Sequence, residues 1–131
     1  MRRGQWDVLG VISAGGVLGA LARYGLGVAF PQPPDGFPWT VFAINVLGCG
    51  LIGVLMVLVT HVYPGRRLLR PFVGTGVLGG FTTFSTYTVD IVRLLHAGAP
   101  GTALAYLAGT LVSALLAVYG GTVLTRWAVR R

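Results

Sequence analysis

The sequence predicts an all-α membrane protein of four transmembrane helices, and three observations carry that expectation. The 131 residues are 54% hydrophobic and only 10% charged, whereas a soluble domain carries about 25% charged residues. Four apolar stretches each reach the roughly 20 residues that a helix needs to cross a hydrocarbon core of about 30 Å. Only short linkers separate them, so residues 1–131 read as a single integral membrane domain.

The first span runs from Val8 to Phe30 (8–30) behind Arg2 and Arg3. Its flank resembles that of a signal peptide, but the run exceeds an h-region of about 7 to 15 residues, so it is expected to stay in the mature protein. The second covers Trp39 to His61 (39–61), the third Phe72 to Leu95 (72–95) and the fourth Thr102 to Leu124 (102–124). The linkers PQPPDGFP, YPGRRLLRP and HAGAPG carry turn chemistry. Trp6, Phe37, Trp39, Tyr63 and Trp127 fall near the span edges, where aromatic rings favour the headgroup layer.

Composition also excludes function classes. The net charge of +7 comes from ten arginines in short clusters between apolar runs, which read as topology signals rather than as a nucleic-acid face. There is no Glu or Lys, and the acids are Asp7, Asp35 and Asp90, so paired-carboxylate hydrolysis has little to draw on. The lone Cys49 excludes an intrachain disulfide and a cysteine-cluster metal site. His61 and His96 lie near span ends and read as interfacial residues, not as haem ligands facing each other across a bundle.

Small residues repeat at helical contact spacing in Gly15 and Gly19, Cys49 and Gly53, and Gly109 and Ser113. That spacing lets helices approach closely. Four short helices enclose little space, so an ion path is expected to need a second subunit.

The polar residues inside the spans are the candidate site. Arg23 sits within the first span on the Gly15 and Gly19 face, where a charge costs about 2.5 to 3.5 kcal/mol on the lenient insertion scale. It either snorkels to the interface or faces protein, water or an anion. Asn45, the only asparagine, falls near the start of the second span and serves either an interhelical hydrogen bond or a permeation path.

The third span reads VGTGVLGGFTTFSTYT. Its glycines cost a continuous helix about 1 kcal/mol each relative to Ala, so the sequence predicts a broken third helix. Free carbonyls at such a break suit a cation, and the following half-helix offers its positive end to an anion. Phe81, Phe84 and Tyr87 recur at intervals of three beside hydroxyls; they either pack a core or turn positive ring edges toward an anion. In the fourth span Thr102, Tyr106, Thr110 and Ser113 form a row of hydroxyls on one face, and such a row can line an ion track.

Three motifs, GGVLGALARY from Gly15 to Tyr24, NVLG from Asn45 to Gly48 and GGFTTFST from Gly79 to Thr86, make the chain resemble the Fluc/CrcB fluoride channels over essentially its whole length. The resemblance implies an antiparallel dimer of four-helix subunits with two narrow fluoride pores and a central, structural sodium ion. It implies that Phe84 and Tyr87 line the fluoride path, that Asn45 is its pore-end amide, and that Tyr106 and Thr110 belong to a polar track. With Ser113 and Arg23 these residues form the expected pathway. The sodium site would use the backbone carbonyls of Gly79 and Thr82 from each subunit. The family often has Phe where this chain has Tyr87, and Gly-Thr where it has Thr40 and Val41. The function so implied is fluoride-selective, passive export across a bacterial inner membrane. The alternative is a small four-helix multidrug-type exporter, but such transporters depend on a membrane-embedded Glu that this chain lacks.

Arginine placement predicts topology. Arg2, Arg3, Arg66, Arg67, Arg70, Arg126, Arg130 and Arg131 share the side that holds both termini, and Arg93 alone lies opposite. By the positive-inside rule both termini should be cytoplasmic. An antiparallel partner would then be a sibling chain with the opposite bias, with a dual-topology homodimer as the alternative.

Overall fold

A computed structural model describes residues 2–131, which are all helix and loop, with no strand among the described residues. Helix α1 spans Arg3–Ala29. It begins five residues before the apolar run because Gln5 caps it, its side chain accepting from the Arg2 backbone N–H at 2.9 Å. Helix α2 spans Trp39–Val57 and continues over Leu58–Val62 in wider, π-helical turns.

The third stretch is divided. Helix α3 comprises a π-helical run Arg70–Leu78 and a short α-helical turn Gly79–Phe81. Thr82 and Thr83 then take extended backbone (φ/ψ −78°/156° and −146°/123°) before α4, Phe84–His96, begins. Two residues beyond the end of α4 stands Gly98, whose φ of +74° is the one positive value among the described residues and one that glycine adopts without a Cβ clash. Helix α5 spans Pro100–Val129, with proline in its first turn where no backbone donor is needed. Helices α1, α2 with its extension, and α5 are long and apolar enough to cross a membrane. The expected span 72–95 falls instead on α3 and α4 together.

Two helix pairs organise the bundle, α1 with α3 and α2 with α5. The first is set by glycine: a Cβ at Gly15 would overlap the Phe72 carbonyl oxygen, one at Gly19 that of Val77, and one at Gly80 that of Gly16. Gly53 meets the Val118 carbonyl of α5 and Gly121 that of Gly50 in the same way. Only residues without side chains permit backbones this close. The third expected small-residue contact is absent, since a Cβ at Gly109 would meet nothing within the chain.

Burial inside the single chain is sparse, and at one end Val41, Tyr87, Leu94, Ala103 and Tyr106 form an apolar cluster with Phe37 and Phe42 packed against them. Ile44, Leu55, Val57, Leu78 and Phe81 are buried elsewhere along the bundle, and many other large apolar side chains, among them Trp6, Leu18, Leu115 and Leu124, point outward. An apolar exterior on long apolar helices suits lipid rather than water.

The two ends differ in charge. At one, Arg67 lies 3.4 Å from Asp7 and stands over Gly4, which joins the loop after α2 to the start of α1. At the other, Arg93 of α4 donates to the Pro33 and Pro34 carbonyls of the loop between α1 and α2.

Candidate functional site

The interruption at Thr82 and Thr83 organises everything polar around it. In a continuous helix the Thr83 N–H would donate to the Gly79 carbonyl four residues back. It donates instead to Asn45 Oδ1 at 2.8 Å, while Asn45 Nδ2 donates to the Thr83 carbonyl at 3.0 Å. One buried amide from α2 therefore satisfies both backbone groups of one residue of the interruption, and it keeps a single N–H in reserve.

Thr83 also caps α4. Its hydroxyl accepts from the Thr86 N–H at 3.1 Å, the donor that would otherwise serve the Thr82 carbonyl. The carbonyls of Gly79 and Thr82 are thus both released from their helical partners. A third freed carbonyl, that of Gly80, accepts from Arg23 Nε at 3.2 Å. Arg23 brings positive charge to the end of α3, where the helix dipole is negative.

On the α4 side the chemistry is aromatic and hydroxylic. Phe84 is 79% exposed in the single chain, with its ring 5.9 Å from that of Tyr87. Tyr87 is buried, and its hydroxyl donates to the Leu107 carbonyl of α5 at 2.8 Å. Its ring lies 5.0 Å from that of Tyr106, which is fully buried and donates to Asp90 Oδ2 at 3.4 Å. Asp90 in turn holds Arg93 at 3.3 Å.

These elements meet in a pocket of about 240 Å³ lined by Asn45, Thr82, Thr83, Phe84, Tyr87 and Thr110, with Cys49, Leu111 and Ala114. Thr110 Oγ1 is the one buried side-chain polar atom without a hydrogen-bond partner among the described residues. Leaving such a group dry costs about 1 to 3 kcal/mol. A second, smaller pocket of about 190 Å³ is lined by Gly48, Cys49, Ile52, Gly74, Leu78, Gly79 and Thr82. Cys49 and Thr82 belong to both.

The family model described as "CrcB-like protein, Camphor Resistance (CrcB)" matches residues 10–122. The chain belongs to the CrcB family. Its relatives include "Fluoride-specific ion channel FluC 2" of Streptomyces avermitilis, 59% identical over 82% of this chain and 68% of the relative. "Fluoride-specific ion channel FluC 1" of Streptomyces coelicolor is 54% identical over 98% of this chain and 81% of the relative. "Fluoride-specific ion channel FluC 2" of Nocardia farcinica is 56% identical over 92% and 86%.

In this CrcB-family chain the residues singled out from the sequence do not all meet. Asn45, Phe84, Tyr87 and Thr110 share one pocket. Arg23 lines a different cavity of about 500 Å³ with Tyr24, Gln32, Thr83 and Thr86. Tyr106 backs the Tyr87 ring from the core, and half-buried Ser113 lies beyond the pocket lining on α5. Sequence reasoning overlooked Thr83, the residue that Asn45 clamps and that starts α4. A threonine directly before an amphipathic run was the available signal. It also left Asp90 without a role, because a lone acid near a span end gives no hint of the tyrosine that will face it.

Proposed function

We propose that the chain is a subunit of a fluoride-selective channel that lets fluoride leave the cytoplasm passively. The observation that carries this reading is the buried, unpaired Thr110 hydroxyl in a pocket walled by Phe84, Tyr87 and Asn45. Fluoride holds its water tightly, so a path must return equivalent donors, and hydroxyls, a free amide N–H and positive ring edges return them without a fixed countercharge that would trap the ion. The relatives' names point the same way. A coupled multidrug exporter lacks its usual membrane-embedded Glu here, and the one buried acid, Asp90, is engaged by Tyr106 and Arg93.

The working unit in this reading is an antiparallel dimer, in which a second subunit covers the exposed Phe84 and closes the pocket. The interruption at Thr82 and Thr83 is the break of a third membrane span that α3 and α4 build jointly. The freed carbonyls of Gly79 and Thr82 fit a hard cation, which prefers oxygen ligands, and one such pair from each subunit would hold a structural sodium ion. The arginine bias favours both termini in the cytoplasm of an inner-membrane subunit. It also favours a sibling partner of opposite bias over a dual-topology homodimer, and the numbered names FluC 1 and FluC 2 among the relatives are compatible with sibling chains.

The test is anion efflux from liposomes reconstituted with the purified protein, alone and with a sibling chain, read by fluoride and chloride electrodes. Fluoride efflux with negligible chloride efflux is the expected result. Chloride leaving at a comparable rate would remove the selectivity claim.

A further inference from the structure

At the end opposite Arg93, the loop after α2 and the start of α3 lie against α1 and leave a groove of about 500 Å³. It is lined by Arg66, Arg67, Val11, Leu68, Leu69 and Phe72. Four of these six are apolar, and the two arginines are exposed. Arg66 lies over the Tyr63 ring, 5.9 Å from its centroid. Arg67 meets Asp7 at 3.4 Å with both side chains about three-fifths exposed, a geometry worth little in water that leaves most of the guanidinium donors available. Arg2, Arg3 and Arg70 share this end, and Arg126 of α5 with Arg130 and Arg131 just beyond it lie on the same side, so arginines there far outnumber the one aspartate. Exposed Trp6 and Tyr63 belong to the same end, the level at which amphipathic rings meet lipid headgroups.

We propose that this groove binds an anionic phospholipid, with the phosphate on Arg66 and Arg67 and an acyl chain on Val11, Leu68, Leu69 and Phe72. The two halves of the groove call for the two halves of that molecule. Guanidinium groups take phosphate oxygens through paired, charge-assisted hydrogen bonds, and basic pockets between membrane helices hold anionic headgroups. A zwitterionic lipid would bring its own ammonium into the arginine cluster, and a free phosphate would leave the apolar floor unused.

Native mass spectrometry of the purified protein in non-ionic detergent, titrated with phosphatidylglycerol or phosphatidylcholine of matched chains, tests this. Phosphatidylglycerol should bind roughly tenfold more tightly, a difference of about 1.4 kcal/mol. The triple variant R66Q/R67Q/D7N lowers net charge by one, as does R126Q on α5. The triple variant should lose most of the tenfold preference and R126Q almost none. Soluble glycerol phosphate should fail to displace the lipid at equal concentration. Equal binding of the two lipids, an equal loss in R126Q, or displacement by glycerol phosphate would each overturn the proposal. The lipid preference and the competition need no variant, so they decide the matter even if the triple variant does not fold.

Discussion

Replacing Asn45 with Leu removes both hydrogen bonds that hold the interruption in α3 and α4 and keeps roughly the same side-chain volume. The Thr83 N–H and C=O, now bonded at 2.8 and 3.0 Å, would lose their partners inside the protein. If both found replacements the loss would be about 1 kcal/mol, and if both stayed dry it would approach about 6 kcal/mol. The cheapest rescue is local. The Thr83 N–H can return to the Gly79 carbonyl, which continues the helix across the interruption and occupies one of the two freed carbonyls. The variant should therefore be less stable by a few kcal/mol and should also lose fluoride flux, whereas N45D, which keeps the acceptor for Thr83 N–H, should retain more stability than N45L. Chemical denaturation followed by circular dichroism gives the stability change, and electrode-monitored efflux from liposomes gives the flux. An N45L protein with wild-type stability and wild-type flux would refute the clamp.

Phe84→Ile keeps most of the volume but removes the ring edge, so fluoride efflux should fall by at least about tenfold, equivalent to about 1.4 kcal/mol in barrier, in a protein that remains folded by gel filtration. Undiminished flux would make Phe84 a packing residue. Thr110→Val deletes a hydroxyl that has no partner, so stability should hold or rise by up to about 1 to 3 kcal/mol while flux falls; a fall in both would mean that the hydroxyl serves the fold. Paired cytoplasmic and periplasmic reporters fused to the C-terminus, expressed without any sibling chain, should show strong cytoplasmic activity only. Strong activity from both would contradict the single orientation drawn from the arginines.

The helices were legible in the sequence because a membrane imposes length and polarity at once, which is why α1, α2 and α5 overlap the spans expected at 8–30, 39–61 and 102–124. The glycines of VGTGVLGG fall on α3, and the hydroxyls of TTFST run from its end into α4. What could not be read was which groups meet. Asn45 and Thr83 are 38 residues apart, and whether an amide serves an anion or a backbone depends on which carbonyl the fold delivers to it. The expected pathway amide has its oxygen and one N–H taken by Thr83. Tyr87 is similar: its ring was foreseeable, but the destination of its hydroxyl, the Leu107 carbonyl, depends on the packing of α4 against α5.

Between α1 and α3 the contact is backbone on backbone, with Gly15, Gly19, Gly76 and Gly80 leaving no room for even a methyl group. A joint of that kind has no rotamers. Its width is fixed by atomic radii, and thermal motion cannot widen it by turning a torsion, as it can where leucines meet. The Gly80 carbonyl that Arg23 grips belongs to this joint, so the end of α3 and the freed carbonyls beside it are referenced to an unyielding surface. Discrimination between two monovalent anions that differ chiefly in size requires walls with little play. On the channel reading proposed above, a bulkier residue at Gly15 or Gly19 would shift the freed carbonyls without touching any polar group beside them.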